Sequence, residues 1–125
     1  MTLKACLLLF LAGGCGTLSR FLVSSCVNAL AGKGLPFGTM AVNILGCFFF
    51  GLVWELAANR LLLSDSLRVL LCTGFLGGFT TFSSFIFESF ALGQIRPLFL
   101  AANIAVQILA GFAAFLGGLH CARLI

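Results

Sequence analysis

Charge is what this chain has least of. Only 8% of its 125 residues are charged, seven basic and three acidic, where a soluble domain carries about 25%. So few cannot cover the surface of a water-soluble fold, which excludes a soluble globular enzyme. The seven basic residues are scattered, so the formal charge of +4 is no footprint for phosphates, and nucleic-acid binding is excluded with it. Tyr is absent and Trp occurs once, against 15 Phe. Tyr and Trp normally form the interfacial belts of membrane proteins, so Phe here faces lipid or serves another purpose. No C-x-x-C pair occurs, and Cys6, Cys15, Cys26, Cys47, Cys72 and Cys121 lie far apart in apolar stretches. That spacing predicts free, buried thiols rather than a disulfide framework or a metal site. No nucleophile–base–orienter set and no phosphate loop is visible either.

What is present is hydrophobic: 62% of the chain, with a mean hydropathy of +1.22. The length allows one domain, and the composition makes it an all-α integral membrane protein. A spanning helix needs about 20 largely apolar residues. Four stretches qualify, residues 3–31, 37–58, 67–92 and 98–122. Lys4 followed by an apolar run and Gly13-Gly14-Cys15-Gly16 has the look of a signal peptide. Apolar sequence resumes at Leu18, however, so the stretch is read as a retained membrane helix. Pro36 and Pro97 stand where helices start, a position proline tolerates, and Ser64 or Asp65 is placed to cap the third helix. Four spans put both termini on one side, with Lys4, Arg60, Arg68 and Arg123; Lys33 and Arg96 fall on the other. Four against two is a weak bias under the positive-inside rule. It fits a single orientation, or a chain that inserts both ways and pairs antiparallel.

Four short helices enclose little by themselves, and every span carries small residues, Gly74 and Gly78 forming a G-x-x-x-G pair. A homo-oligomer is expected, with any pathway at or beside the subunit interface. In the third span, Gly77-Gly78 is followed by Thr80-Thr81, a poor uninterrupted helix, since each Gly costs about 1 kcal/mol against Ala. Either the helix breaks and frees carbonyls that must be buried in protein or bind something, or the glycines serve a tight crossing. Phe82 and Phe85 share a face at i, i+3. Thr81, Ser84 and Glu88 form a neighbouring polar stripe. Phe ring edges are positive and hydroxyls donate, so this stretch suits a small anion, although lipid-facing or packing roles explain Phe pairs as well. Asn43 donates two hydrogen bonds, to an anion or as glue between helices. Arg20 either snorkels, pairs with Glu55 or Glu88, or draws anions to a vestibule. Asn103 and Gln107 stand at i, i+4 in the last span. The residues indicate a small-ion channel or transporter and do not name the ion.

Three blocks resemble the Fluc/CrcB family of fluoride channels. They are Gly13-Gly14-Cys15-Gly16-Thr17-Leu18-Ser19-Arg20, the G-T-x-x-x-N-x-x-G block Gly38 to Gly46, and the stretch Thr73 to Phe85. The last is similar to T-G-F-x-G-G-x-T-T-F-S-T-F, with Ser84 where Thr is usual. The resemblance implies passive fluoride export through two pores of an antiparallel, dual-topology homodimer in the cell membrane, with the third helix broken in mid-membrane. It implies a structural Na⁺ on the backbone carbonyls of Gly77 and Thr80. It also implies pores lined by Phe82, Phe85, Asn43, Thr81, Ser83 and Ser84, with Arg20 and Glu88 supporting the vestibule. One departure concerns the last span. Family members often carry a pore-facing Ser or Thr there, and residues 103–115 contain none, leaving Asn103 or Gln107 as substitutes. A small dual-topology, proton-coupled multidrug transporter is the alternative. Such transport requires an acid in the first helix, which instead holds Arg20. A membrane assembly protein is a third reading, with Gly and Phe used for packing alone.

Overall fold

The computed structural model describes residues 2–32 and 34–125; Lys33, assigned above to one membrane end, lies outside them. The described residues are helical, with no strand. Helices α1 (Leu3–Ala31) and α2 (Phe37–Ala58) are the first two spans. The third, Asp65–Ile95, is assembled from α3 (Asp65–Val69), a π-helical stretch Leu70–Leu76, α4 (Gly77–Phe79) and α5 (Phe82–Ile95), and α6 (Pro97–Arg123) is the fourth. All four are long and apolar enough to cross a membrane.

The third span starts two residues before the expected boundary. Ser64 takes the cap, its Oγ accepting from the Leu67 N–H at 3.3 Å, while Asp65 turns to Arg68 at 3.0 Å. Its far end is set by Pro97. The residue before a proline avoids helical torsions, and Arg96 is extended at φ −151°, ψ 127°. Arg60, Arg68 and Arg123 gather at one end as expected. Arg60 donates to the Arg123 carbonyl at 2.8 Å, Arg123 pairs with Glu55 at 3.1 Å, and Arg68 lies 5.1 Å from the Trp54 ring centroid.

Glycines set how closely the spans approach. A Cβ on Gly51 would strike the Phe115 carbonyl oxygen, and one on Gly118 would strike the Phe48 carbonyl oxygen. The α2–α6 contact, the most extensive between two elements, is therefore backbone against backbone. Gly16 meets the Phe75 carbonyl and Gly78 the Gly13 carbonyl in the same way, pinning α1 to the third span. Small residues permit such crossings where lipid supplies no hydrophobic drive. The true core is small: Val42, Leu76 and Phe79, backed by Val23 and Phe75. Large apolar side chains point outward instead, Phe10, Leu11, Phe21 and Phe87 among them. The cysteines follow the same rule and correct the expectation of buried thiols: all six are free, but Cys6, Cys15, Cys26 and Cys121 are exposed and only Cys72 is fully buried. An apolar stretch predicts burial only where the surroundings are water.

Within the third span, Thr80 (φ −86°, ψ 159°) and Thr81 (φ −147°, ψ 108°) have extended torsions between α4 and α5. The Leu76 carbonyl accepts both the Thr80 N–H and the Thr80 hydroxyl, each at 3.0 Å.

Candidate functional site

Helix α5 begins directly after the extended pair, so its first turn carries Phe82 and Phe85. Thr81 caps it, its Oγ1 accepting from the Ser84 N–H at 3.4 Å and donating to Ser84 Oγ at 2.9 Å. The two rings lie 5.7 Å apart at 57°. Their surroundings differ: Phe85 is 6% exposed and Phe82 74%. Both line a groove of about 510 Å³ between α2, the third span and α6, whose wall includes Asn43, Thr80, Gln107 and Phe112.

Asn43 projects from α2 onto the extended pair. Its Oδ1 accepts the Thr81 N–H at 2.9 Å, and its Nδ2 donates to the Thr81 carbonyl at 3.2 Å and to Gln107 Oε1 at 2.9 Å. In this geometry Asn43 joins helices, with both amide hydrogens committed. The bonds continue beyond it. Gln107 Nε2 donates to Asn103 Oδ1 at 3.1 Å, Asn103 Nδ2 to Ser89 Oγ at 2.8 Å, and Ser89 Oγ to the Phe85 carbonyl at 2.7 Å. Ser89, Asn103 and Gln107 are all buried, and buried polar groups are costly unless bonded.

Arg20 pairs with neither acid proposed for it. Its Nη1 donates to the Thr80 carbonyl at 3.4 Å. Glu55 is engaged by Arg123 and Asn59. Glu88 Oε1 accepts from Thr39 at 2.8 Å, and its Oε2 is buried without a partner. The ion-pair reading fails because Glu55 sits near the end of α2 and Glu88 faces the start of α2. Of the proposed hydroxyls, Thr81 is buried, Ser84 half-buried and Ser83 exposed, and none of the three is on the groove wall. Two residues escaped the sequence reading. Ser89 stands at i+4 from Phe85 on one helix face, and Thr39 at i−4 from Asn43, spacings that mark both in retrospect.

Comparisons with known proteins agree over nearly the whole chain. The family described as CrcB-like protein, Camphor Resistance (CrcB), matches residues 7–119. A protein of Solidesulfovibrio magneticus named fluoride-specific ion channel FluC is 53% identical over 116 residues, 92% of this chain and 93% of the relative. Proteins of the same name from Maridesulfovibrio salexigens and Chlorobium phaeobacteroides are 45% identical over 114 residues and 43% over 124. Those alignments cover 90% and 97% of this chain and 90% and 94% of the relatives.

Proposed function

The chain belongs to the CrcB family, a multi-pass cell-membrane family of channels and not of enzymes, and on that premise we propose that it is a passive, fluoride-selective channel. One observation carries the reading. The groove sets Phe82 and Phe85 beside the amides of Asn43 and Gln107, with no fixed charge on its wall.

An unpaired anion in a dry medium costs tens of kcal/mol. Donors and positive ring edges must replace its water, weakly and at several sites, or it would not leave. Phe82 and Phe85 supply the edges. Thr81, Ser83 and Ser84 place hydroxyls along the same helix start, off the groove wall, where they would extend the polar track beyond it. Asn43 shapes the path by holding Thr81, and an ion reaching it exchanges with one of its present acceptors. Arg20 and Glu88 frame the vestibule, Arg20 as the positive group against Thr80 and Glu88 tethered by Thr39. The 74% exposure of Phe82 in the single chain supports a second subunit closing each groove. An antiparallel pair, with two pores, is the arrangement we propose.

Na⁺ fits the backbone here. The Thr81 N–H is given to Asn43, so the Gly77 carbonyl lacks the partner a helix would supply. The Thr80 carbonyl carries only a long bond from Arg20 and has a second lone pair. Carbonyls freed in this way suit Na⁺. Gly77 and Thr80 of two subunits would hold it, and the ion would supply a fixed positive charge between them.

The test is efflux from liposomes containing the purified protein, followed with a fluoride electrode and with chloride run in parallel. Fast fluoride flux without chloride flux is expected. Absence of flux from verified, folded protein with Na⁺ on both sides would overturn the proposal.

A further inference from the structure

The bonds around Asn43 form a chain with a forced direction. It starts at the Thr81 N–H, passes through the amides of Asn43, Gln107 and Asn103, then the Ser89 hydroxyl, and ends on the Phe85 carbonyl, every link between 2.7 and 3.1 Å. A backbone N–H only donates and a backbone carbonyl only accepts. With those two groups at its ends, no amide between them can be flipped without breaking the chain, which settles orientations that are otherwise open to choice.

The hydrogens can then be counted. Asn43 has two on Nδ2, and both are used. Asn103 and Gln107 each use one, and each keeps one. Asn103 is 2% exposed and is not on the groove wall, whereas Gln107 lines the groove with Phe82 and Phe85. Among the three amides, only Gln107 combines a place on the groove wall with an uncommitted N–H. It also stands in a stretch of α6, residues 103–115, that contains no hydroxyl.

We infer that Gln107 is the amide donor that meets the anion in this groove, and that Ser89 and Asn103 are positioning residues that hold it there. This rests on the anion-channel reading above. Neither Ser89 nor Asn103 touches the groove. They act by occupying the Gln107 amide on one side, so that its spare N–H stays on the other. Without the Ser89 hydroxyl, Asn103 loses its acceptor, and its hold on the Gln107 amide loosens while the Thr81 end still fixes the direction of the chain.

The experiment uses the full chain in liposomes with three substitutions, Gln107→Met, Ser89→Ala and Ser89→Thr, each checked for assembly by gel filtration. Gln107→Met keeps length and removes the N–H. It is expected to lower fluoride flux roughly 10- to 100-fold, the worth of one hydrogen bond to a charge. Ser89→Ala should lower it less, and Ser89→Thr, which retains the hydroxyl, should restore it. A second readout needs no flux: the side-chain amide resonance of Gln107, observed by solid-state NMR in bilayers. It should shift when fluoride is titrated into the wild type. It should also move in Ser89→Ala without fluoride, and not in Ser89→Thr. A conducting wild type whose Gln107 resonance ignores fluoride, or whose Gln107→Met form conducts equally, would overturn the inference. A wild type that conducts no fluoride overturns the channel reading instead, while the response of the Gln107 resonance to Ser89→Ala still decides whether the chain positions it.

Discussion

Asn43 clasps Thr81 at both backbone groups, its Oδ1 accepting the Thr81 N–H at 2.9 Å and its Nδ2 donating to the Thr81 carbonyl at 3.2 Å. One side chain from α2 thus engages both backbone groups of Thr81, whose torsions are extended. A non-helical residue inside a membrane protein requires such partners, because lipid offers none.

Asn43→Leu removes the clasp while keeping the branched shape and the number of side-chain heavy atoms. It leaves the Thr81 N–H, the Thr81 carbonyl and Gln107 Oε1 without their partner. Each orphaned buried group costs about 1–3 kcal/mol, so the melting temperature in detergent should fall markedly and fluoride flux with it. An unchanged melting curve would show that the clasp is not structural.

Gly46 faces Thr80 so closely that an added Cβ would strike the Thr80 methyl. Turning that methyl away would break the Thr80 hydroxyl bond to Leu76. Gly46→Ala should therefore destabilise by about 1–3 kcal/mol, as overpacking does. Thr80→Ser, which deletes the methyl and keeps the hydroxyl, should rescue it in the double variant. Thermal unfolding of all four forms checks this, and a double variant no better than Gly46→Ala rejects it.

Phe82 and Phe85 should separate by burial. Phe82→Ile touches a largely exposed ring, so subunit stability should hold while fluoride flux is abolished. Phe85→Ala empties a buried position and should cost about 3–5 kcal/mol. Flux and melting temperature, measured together, distinguish the two. Loss of assembly in Phe82→Ile would favour a packing role over a pore.

Replacing Na⁺ by N-methylglucamine during purification and assay should abolish or strongly slow fluoride flux, with recovery when Na⁺ is returned. Full activity after exhaustive exchange would remove Na⁺ from the mechanism.

Glu55→Gln serves as the contrast. Glu55 holds Arg123 and Asn59 at the end of α2, away from the groove wall. A modest drop in melting temperature with unchanged flux is expected. Lost flux would extend the pathway to this end of the bundle.

The four spans were legible because their cause is local. About 20 apolar residues in a row suffice to cross a bilayer, and proline and a capping serine punctuate them within a residue or two. The Phe82–Phe85 pair was legible for the same reason, since i, i+3 spacing needs only one helix. The partners of Arg20, the bonding of Asn43 and the exposure of four cysteines were not. Each depends on the rotation of one helix against others, and apolar residues on every face leave little amphipathic signal to set that rotation.

Composition and the length of the apolar runs by themselves determined that the chain has four stretches able to cross a membrane and which residues lie along each; the family resemblance came separately, from matching the Thr73–Phe85 block to a known motif. Only the tertiary structure decided that Asn43, Gln107, Asn103 and Ser89, from three different spans, join into one directed chain around Phe85. Glycine contacts that bring backbone against backbone set those spans close enough for side-chain amides to meet, and hydrogen bonds reach only about 3 Å.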